Sequence, residues 1–302
     1  MSSLARSAPQ KLPPAKTGMV VAGRGWRLVM RYAILSIGVL FAIYPIVLLV
    51  WASVDSRNSV TAGINPEFFT TGNYTRLFSS PQTPILKWLG NSVFVSGTST
   101  LITLTLTTLG AYSFSRYRFK YRQASLLGTL IIQMFPSVVA LVAFYLLLQQ
   151  IGEFIPFLGL NSLGGLILIY SGGALGAGAW LMKGYFDTVP RDLDESAQVD
   201  GATHWVTFTQ VILPLVRPIL AVTAILSFIG TFNDYLLPRV LISDQESYTL
   251  AVGLANFISG RFTTEWGVFA AGALLGTLPI ILIFIALQSQ IVSGLSSGAV
   301  KG

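Results

Sequence analysis

Six stretches of this chain stay apolar long enough to cross a lipid bilayer, and no other feature constrains its fold so tightly. They cover residues 33–52, 92–114, 126–148, 164–182, 216–237 and 266–291. A bilayer core about 30 Å thick needs roughly 20 helical residues. Lipid offers the backbone no hydrogen-bond partner, so each segment must satisfy its own polar groups, as a helix does. Soluble domains carry about 25% charged residues, whereas this chain has 10% charged and 53% hydrophobic residues. The expected fold class is all-α, a polytopic membrane protein with six transmembrane helices.

The first run is longer than the core of a signal peptide, so it reads as an uncleaved anchor. Residues 1–32 form a polar, basic N-terminal tail and 33–52 the first transmembrane helix. Residues 87–292 hold five more helices and a polar segment at 187–214, and 293–302 form a second tail. Lys and Arg near the span ends set the orientation. With the N-terminus inside, the cytoplasmic segments hold Arg6, Lys11, Lys16, Arg24, Arg27, Arg31, Arg116, Arg118, Lys120, Arg122, Lys183, Arg191, Arg217 and Lys301. The outside segments hold only Arg57, Arg76, Lys87, Arg239 and Arg261. Both termini are therefore expected in the cytoplasm. The net charge of +7 follows from topology, which argues against a nucleic-acid partner.

Small residues at Gly172, Gly173, Gly176 and Gly178, and at Gly272 and Gly276, let helices approach closely in lipid. Pro45, Pro136 and Pro279 fall within spans, where a kink is tolerated if neighbours satisfy the freed carbonyls. The chain has no cysteine and one histidine, His204, which leaves no thiolate nucleophile and no His- or Cys-based metal site. It has no G-x-x-x-x-G-K-[ST], and no catalytic residue is assigned.

Between the fourth and fifth runs, residues 194–214 read DESAQVDGATHWVTFTQVILP. Thr188 and Pro190 resemble a helix start, and Asp192, Asp194 and Glu195 suit the positive end of its dipole. Leu193 and Ala197 share one face, with Glu195 and Val199 on an adjacent one. Gly201 breaks this helix, and a second is expected with Trp205, Phe208 and Ile212 on one side. Two short helices on the cytoplasmic side make a docking knob whose carboxylates suit a partner's arginines. The alternative is an amphipathic loop lying on lipid. The acids count against it, because cytoplasmic leaflets are anionic and attract basic helices.

Glu195-Ser196-Ala197, three residues, Gly201, nine residues, then Val211-Ile212-Leu213-Pro214 resembles the EAA motif of ABC importer permeases, E-A-A-x3-G-x9-I-x-L-P. Ser196 stands where that pattern has alanine, and Val211 where it has isoleucine. The runs YSFSRYRF, IIQMFP, EFIPFLGLNSLGG, KGYFDTVP, DGAT, SYTLAVG and GLSSGAVKG are similar to the maltose/maltodextrin branch of that family, the MalG type. The resemblance implies an inner-membrane subunit acting beside a second, MalF-like permease, an ATPase homodimer and an extracytoplasmic sugar-binding protein. It implies no cofactor in this chain, with ATP and Mg held by the ATPase. Glu195, Ser196, Ala197, Gly201, Val211, Leu213 and Pro214 would couple to that ATPase. Ser297, Gly298, Lys301 and Gly302 would reach it from the C-terminal tail.

Asn233 and Asp234, at the outer end of the fifth run, are candidates for a pathway or gate, since an ionisable residue within a span is costly. A helix-end carboxylate reaching the interface is the plainer reading of Asp234. The polar, aromatic stretch 256–265 offers Asn256, Phe257 and Arg261 as contacts for the binding protein, as the resemblance implies. The basic cluster 116–122 reads as a topology anchor, and His204 as packed within the knob. An ion-coupled sugar carrier and a membrane enzyme are the rival functions, and another oligosaccharide is the rival cargo.

Overall fold

A computed structural model describes residues 22–80, 83–173, 176–259 and 264–299. The chain divides into two compact units, Met1–Leu48 and Leu49–Gly302. The first contains most of helix α1, Ala22–Ser53. This helix begins well before residue 33, so the expected tail is shorter than 1–32. Arg27 and Arg31 sit four apart within it, and long basic stems lie readily along an apolar helix with their charges at its edge.

Among the described residues, the regular elements of the second unit are all helices, apart from one isolated bridge between Asp55 and Phe69. Its elements are α2 (Gly72–Ser79), α3 (Ile85–Arg116), α4 (Arg122–Gln133), α5 (Ser137–Phe154), α6 (Leu163–Gly172), α7 (Ala177–Thr188) and α8 (Asp192–Val199). After single turns α9 (His204–Val206) and α10 (Leu213–Leu215) come α11 (Arg217–Phe232), α12 (Leu236–Leu241), α13 (Leu250–Ile258) and α14 (Trp266–Ala299). A π-helix, Thr207–Ile212, separates α9 from α10.

Among the described residues, three helices are long and apolar enough to cross a membrane alone, Trp26–Ser53, Ile85–Arg116 and Trp266–Ile291. The third expected span is broken: Arg122–Gln133 and Val138–Phe154 meet at 99°. Pro136 lacks an N–H and disfavours helical geometry at Phe135, and here it ends a helix that a kink was expected to carry through. The fourth is also divided, into α6 and α7, at a stretch bearing Gly172, Gly173 and Gly176. Glycine is a poor helix former because fixing its backbone costs the most entropy. The fifth ends at Phe232 and restarts at Leu236. The sixth runs past residue 291 to Ala299, so most of the expected tail 293–302 is helical.

The long helix α3 is the spine. Ser92, Ser96, Ser99, Thr107, Ala111 and Ser115 are buried along it, a strip of small side chains that lets neighbouring helices pack close. Ser96 turns its hydroxyl onto the Ser92 carbonyl 2.6 Å away, so that hydroxyl is buried with its donor met. Gly272 and Gly276 of α14 face Leu254 and Leu250 of α13, where an added Cβ would collide. These glycines serve close packing, as their spacing suggests.

At the N-terminal end of α3, Trp88, Leu77, Phe228, Phe232, Leu250 and Leu254 form one core cluster. Trp88 Nε1 donates to the Gln245 carbonyl at 2.8 Å, and Gly253 lies so close to the indole that a Cβ has no room. Asn91 donates to the carbonyls of Glu246 and Tyr248 at 2.9 and 3.0 Å. Leu250 N donates to Ser92 Oγ at 2.7 Å. Nearby, Asp55 is fully buried, accepts from Trp51 Nε1 at 2.9 Å and pairs with Arg57 at 2.5 Å. The Arg57 hydrogen bond holds the Asp55 carboxyl down at about 2. Asn73 closes the same loop by donating to the carbonyls of Ser53 and Asp55, both at 3.1 Å.

Candidate functional site

The polar segment lies at the other end of α3. Pro190 pushes Val189 into extended geometry (φ −81°, ψ 121°), which ends α7 at Thr188. The Thr188 hydroxyl donates back to the Tyr185 carbonyl at 2.7 Å. It therefore closes α7 rather than capping the next helix. Helix α8 begins at Asp192 with Arg191 before it and no side-chain cap.

Gly201 takes φ +87°, the left-handed geometry that costs other L-residues about 1–2 kcal/mol. Its N–H reaches the Gln198 carbonyl at 3.0 Å, and the Ala202 N–H reaches the Ala197 carbonyl at 2.9 Å. These two bonds make a Schellman closure. It sets the four-residue interval between Ala197 and Gly201. Nothing lies within 4 Å of a Cβ built at Gly201, so its backbone angle, not crowding, demands glycine. Thr203 then caps the next turn, with its hydroxyl accepting from Val206 N at 3.3 Å.

The expected second helix is a π-helix. Leu213 N bonds the Phe208 carbonyl, five residues back. Pro214 has no N–H, and its ring crowds the carbonyl four residues earlier, so a wider turn relieves the approach. Phe208 and Ile212 are buried, while Trp205 is 63% exposed. The α-helical spacing that grouped these three residues does not hold across a π turn.

The segment has two faces. Asp192, Glu195, Ser196 and Val199 are exposed, Val199 at 88%, and Ala197 is half-buried. Val211, Leu213 and Pro214 are half-buried, and the first two pack on a core of Tyr112, Met182, Phe186, Phe208 and Ile212. The motif's first half thus offers a surface, and its last half is the root.

A charged clasp fastens the root, and sequence reasoning missed it. Asp194 turns inward: its Oδ2 lies 3.0 Å from Arg116 Nε, with side chains 11% and 7% exposed. The pair is an ion contact without hydrogen-bond alignment. Tyr112 donates weakly to Asp194 Oδ1 at 3.4 Å, and its ring lies 4.7 Å from that of Phe208. Arg116 Nη2 donates to the Val189 carbonyl at 3.0 Å. Reciprocally, Arg191 Nη2 donates to the Ser115 carbonyl at 2.9 Å. Removing one member of a buried ion pair costs about 3–5 kcal/mol, because it strands the other. Arg116 is thus a buried structural cation, whereas its cluster read as a topology anchor. Ser115 donates to Asp187 Oδ1 at 2.6 Å, and Lys183 pairs with the other oxygen at 2.5 Å. Burial alone would raise the Asp187 carboxyl, but those two hydrogen bonds hold it below its ordinary value.

His204 is exposed and meets Tyr117 edge-on at 5.9 Å, so it is not packed within the knob. Beside the root, Leu104, Thr105, Thr108, Trp205, Phe208 and Leu220 line part of a cleft of about 320 Å³. The hydroxyls of Thr105, Thr108 and Thr209 all donate to carbonyls of their own helices. What remains is an apolar wall with little to offer a sugar.

The other expected residues lie apart from this site. Asp234 Oδ1 accepts from Leu236 N at 2.9 Å and Leu237 N at 3.4 Å, capping α12, and Oδ2 accepts from Tyr170 at 2.9 Å. The plainer reading of it, as a helix-end carboxylate, describes this geometry. Asn233 beside it is exposed. Asn256 and Phe257 belong to helix α13 instead of a loop. Phe257 is only 9% exposed within the core, so it packs instead of meeting a partner. Asn256 is half-buried, and Arg261 lies outside the described residues. Ser297 and Gly298 sit in the last turns of α14, while Lys301 and Gly302 lie outside the described residues.

Residues 107–297 match the family model of the binding-protein-dependent transport system inner membrane component. The maltose/maltodextrin transport system permease protein MalG of Vibrio vulnificus (strain YJ016) is 42% identical over 271 residues, 86% of this chain and 91% of that one. The maltodextrin transport system permease protein MdxG of Bacillus subtilis (strain 168) is 42% identical over 277 residues, 91% and 96% of the two chains. MalG of Escherichia coli (strain K12) is 40% identical over 287 residues, with the same coverage. Among solved structures, a bacterial ABC transporter involved in import of the acidic polysaccharide alginate superposes with a TM-score of 0.71. It is 22% identical and covers 90% of this chain and 99% of its own.

Proposed function

The chain belongs to the family of binding-protein-dependent transport system inner membrane components, and on that premise we propose that it imports a maltose- or maltodextrin-like sugar. It is a multi-pass inner-membrane permease subunit of an ABC importer, not an enzyme. That sets aside both the ion-coupled carrier and the membrane enzyme. In our reading it forms half of a pathway, the other half being a MalF-like permease. An ATPase homodimer holding ATP and Mg sits below, and a sugar-binding protein delivers cargo from outside. Both termini are cytoplasmic, and α4–α5 and α6–α7 each count as one broken span, which gives six.

The observation that carries the coupling is the two-faced segment, with Glu195, Ser196 and Val199 free and Asp194 clasped to α3. ATP draws the two ATPase subunits together, the exposed face moves with its socket, and α3 and its neighbours tilt to open the cavity outward. Such switching needs each ligand to favour one state, so ATP and the loaded binding protein both prefer the outward state. Ser297, Gly298, Lys301 and Gly302 supply a second ATPase contact, and Asn256 and Arg261 one to the binding protein. Asn233 with Asp234 shapes the outer end of the pathway, Asp234 by holding α12 to α6.

The test is purification in mild detergent followed by ATPase assay. We expect a second permease and an ATPase to accompany the chain, and hydrolysis to rise with binding protein plus maltose. Absence of an ATPase, or uptake that persists without ATP, contradicts the importer mechanism. A response to another oligosaccharide and none to maltose corrects the cargo.

A further inference from the structure

The reciprocal arginine clasp goes beyond the motif, and its logic is mechanical. A segment that transmits force needs a free face and a root that does not slip. The root here joins the last two turns of α3 to both sides of the α7–α8 junction. Arg116 reaches from α3 to the Val189 carbonyl and the Asp194 carboxylate. Arg191 reaches back from the start of α8 to the Ser115 carbonyl. The two arginines cross, each satisfying a carbonyl that the end of the other helix leaves open. Apolar packing alone lets surfaces slide, whereas a buried ion pair has one register. Sliding strands both charges away from water.

We propose that Arg116 and Asp194, backed by Arg191, are positioning residues that lock the coupling segment to α3, so that ATPase motion becomes motion of that helix. This rests on the coupling reading above. None of the three needs to touch ATPase or sugar. Asp192 and Glu195, on the same helical turn as Asp194, are exposed, which divides the acids between an inner lock and an outer surface.

The test uses the complete importer in liposomes, with maltose as cargo and binding protein supplied. Allosteric coupling typically amounts to 5–150-fold, so Asp194→Asn and Arg116→Gln should each lower sugar moved per ATP hydrolysed by roughly tenfold. The exchange Arg116→Asp with Asp194→Arg should recover part of that ratio, as loss of packing alone would not. Arg191→Ala, at an exposed position, should give a smaller drop. If the single variants do not assemble, spin labels at Leu106→Cys and Val199→Cys in the otherwise wild-type complex still report. Their separation should stay the same with and without ATP. A separation that changes with ATP, or single variants that keep the wild-type ratio, would overturn the lock. If no ATPase accompanies the wild-type chain, it is the coupling reading that fails.

Discussion

The two ends of α3 fasten neighbouring segments by different chemistry. Around Trp88, Asn91 and Ser92 the hydrogen bonds of α3 run mostly to backbone, with Gly253 pressed against the indole, and the ion pairs sit in the adjoining loop at Asp55–Arg57 and on the surface at Lys87–Glu246. Around Tyr112 and Arg116 there is an aromatic hub, one buried ion pair and a π turn. Neutral bonds to carbonyls tolerate no rearrangement without leaving a buried group unmet. A clasp of charges on a helix end instead holds one register while its outer face stays free. In our proposal one end stays still and the other carries load.

Changes at the still end should therefore cost folding, and changes at the loaded end should cost coupling. Gly253→Val forces a branched side chain into Trp88 and should destabilise by about 3 kcal/mol, read as a lower thermal midpoint and less inserted protein. Asn73→Ala leaves the Ser53 and Asp55 carbonyls unmet and should cost about 2 kcal/mol, with transport per folded molecule kept. Glu195→Lys, on an exposed face, should leave the midpoint within about 0.5 kcal/mol of wild type. Its transport should nonetheless fall roughly tenfold, and normal transport by this variant would erase the contrast.

Gly201 separates backbone from surface. Gly201→Val should cost about 1–2 kcal/mol at φ +87°. Gly201→Asn, which tolerates that angle, should cost less in stability. If both lose transport equally, close docking against a partner is the demand. The smallest effect under ordinary conditions concerns pH. Asp55 titrates at about 2 in the folded protein against an ordinary 3.8. A depressed carboxyl stabilises the fold above its unfolded value and loses that contribution as pH falls through the folded one. Thermal midpoints should thus drop between pH 3.8 and about 2 more steeply in wild type than in Asp55→Asn.

The long apolar runs announced the helical membrane fold, because lipid leaves the backbone so few options. Gly201 was equally legible, since a Schellman closure imposes its own spacing. Pro136 was visible but read as a kink, and whether neighbours repair a broken turn is a tertiary matter. Asp194 and Glu195 are adjacent acids of the same chemistry. Helical periodicity assigns them different faces without saying which face meets α3. Arg116 went unread for the same reason, since a basic residue at a span end suits a topology anchor and a buried clasp equally well. The π turn hid because its spacing departs from the period used to look for helices. Phe257 was misread because its sequence neighbours are polar, although its helix buries it.

The most direct test uses the absence of cysteine from the chain. A single thiol at Val199→Cys, on the most exposed part of the coupling segment, can be joined to nearby lysines by a short thiol-to-amine reagent in intact membranes. Thr61→Cys, exposed in the loop between α1 and α2, is the control. The account predicts a cross-link from position 199 to the ATPase subunit and none from position 61. Equal yields from the two positions, or none from 199, would contradict it.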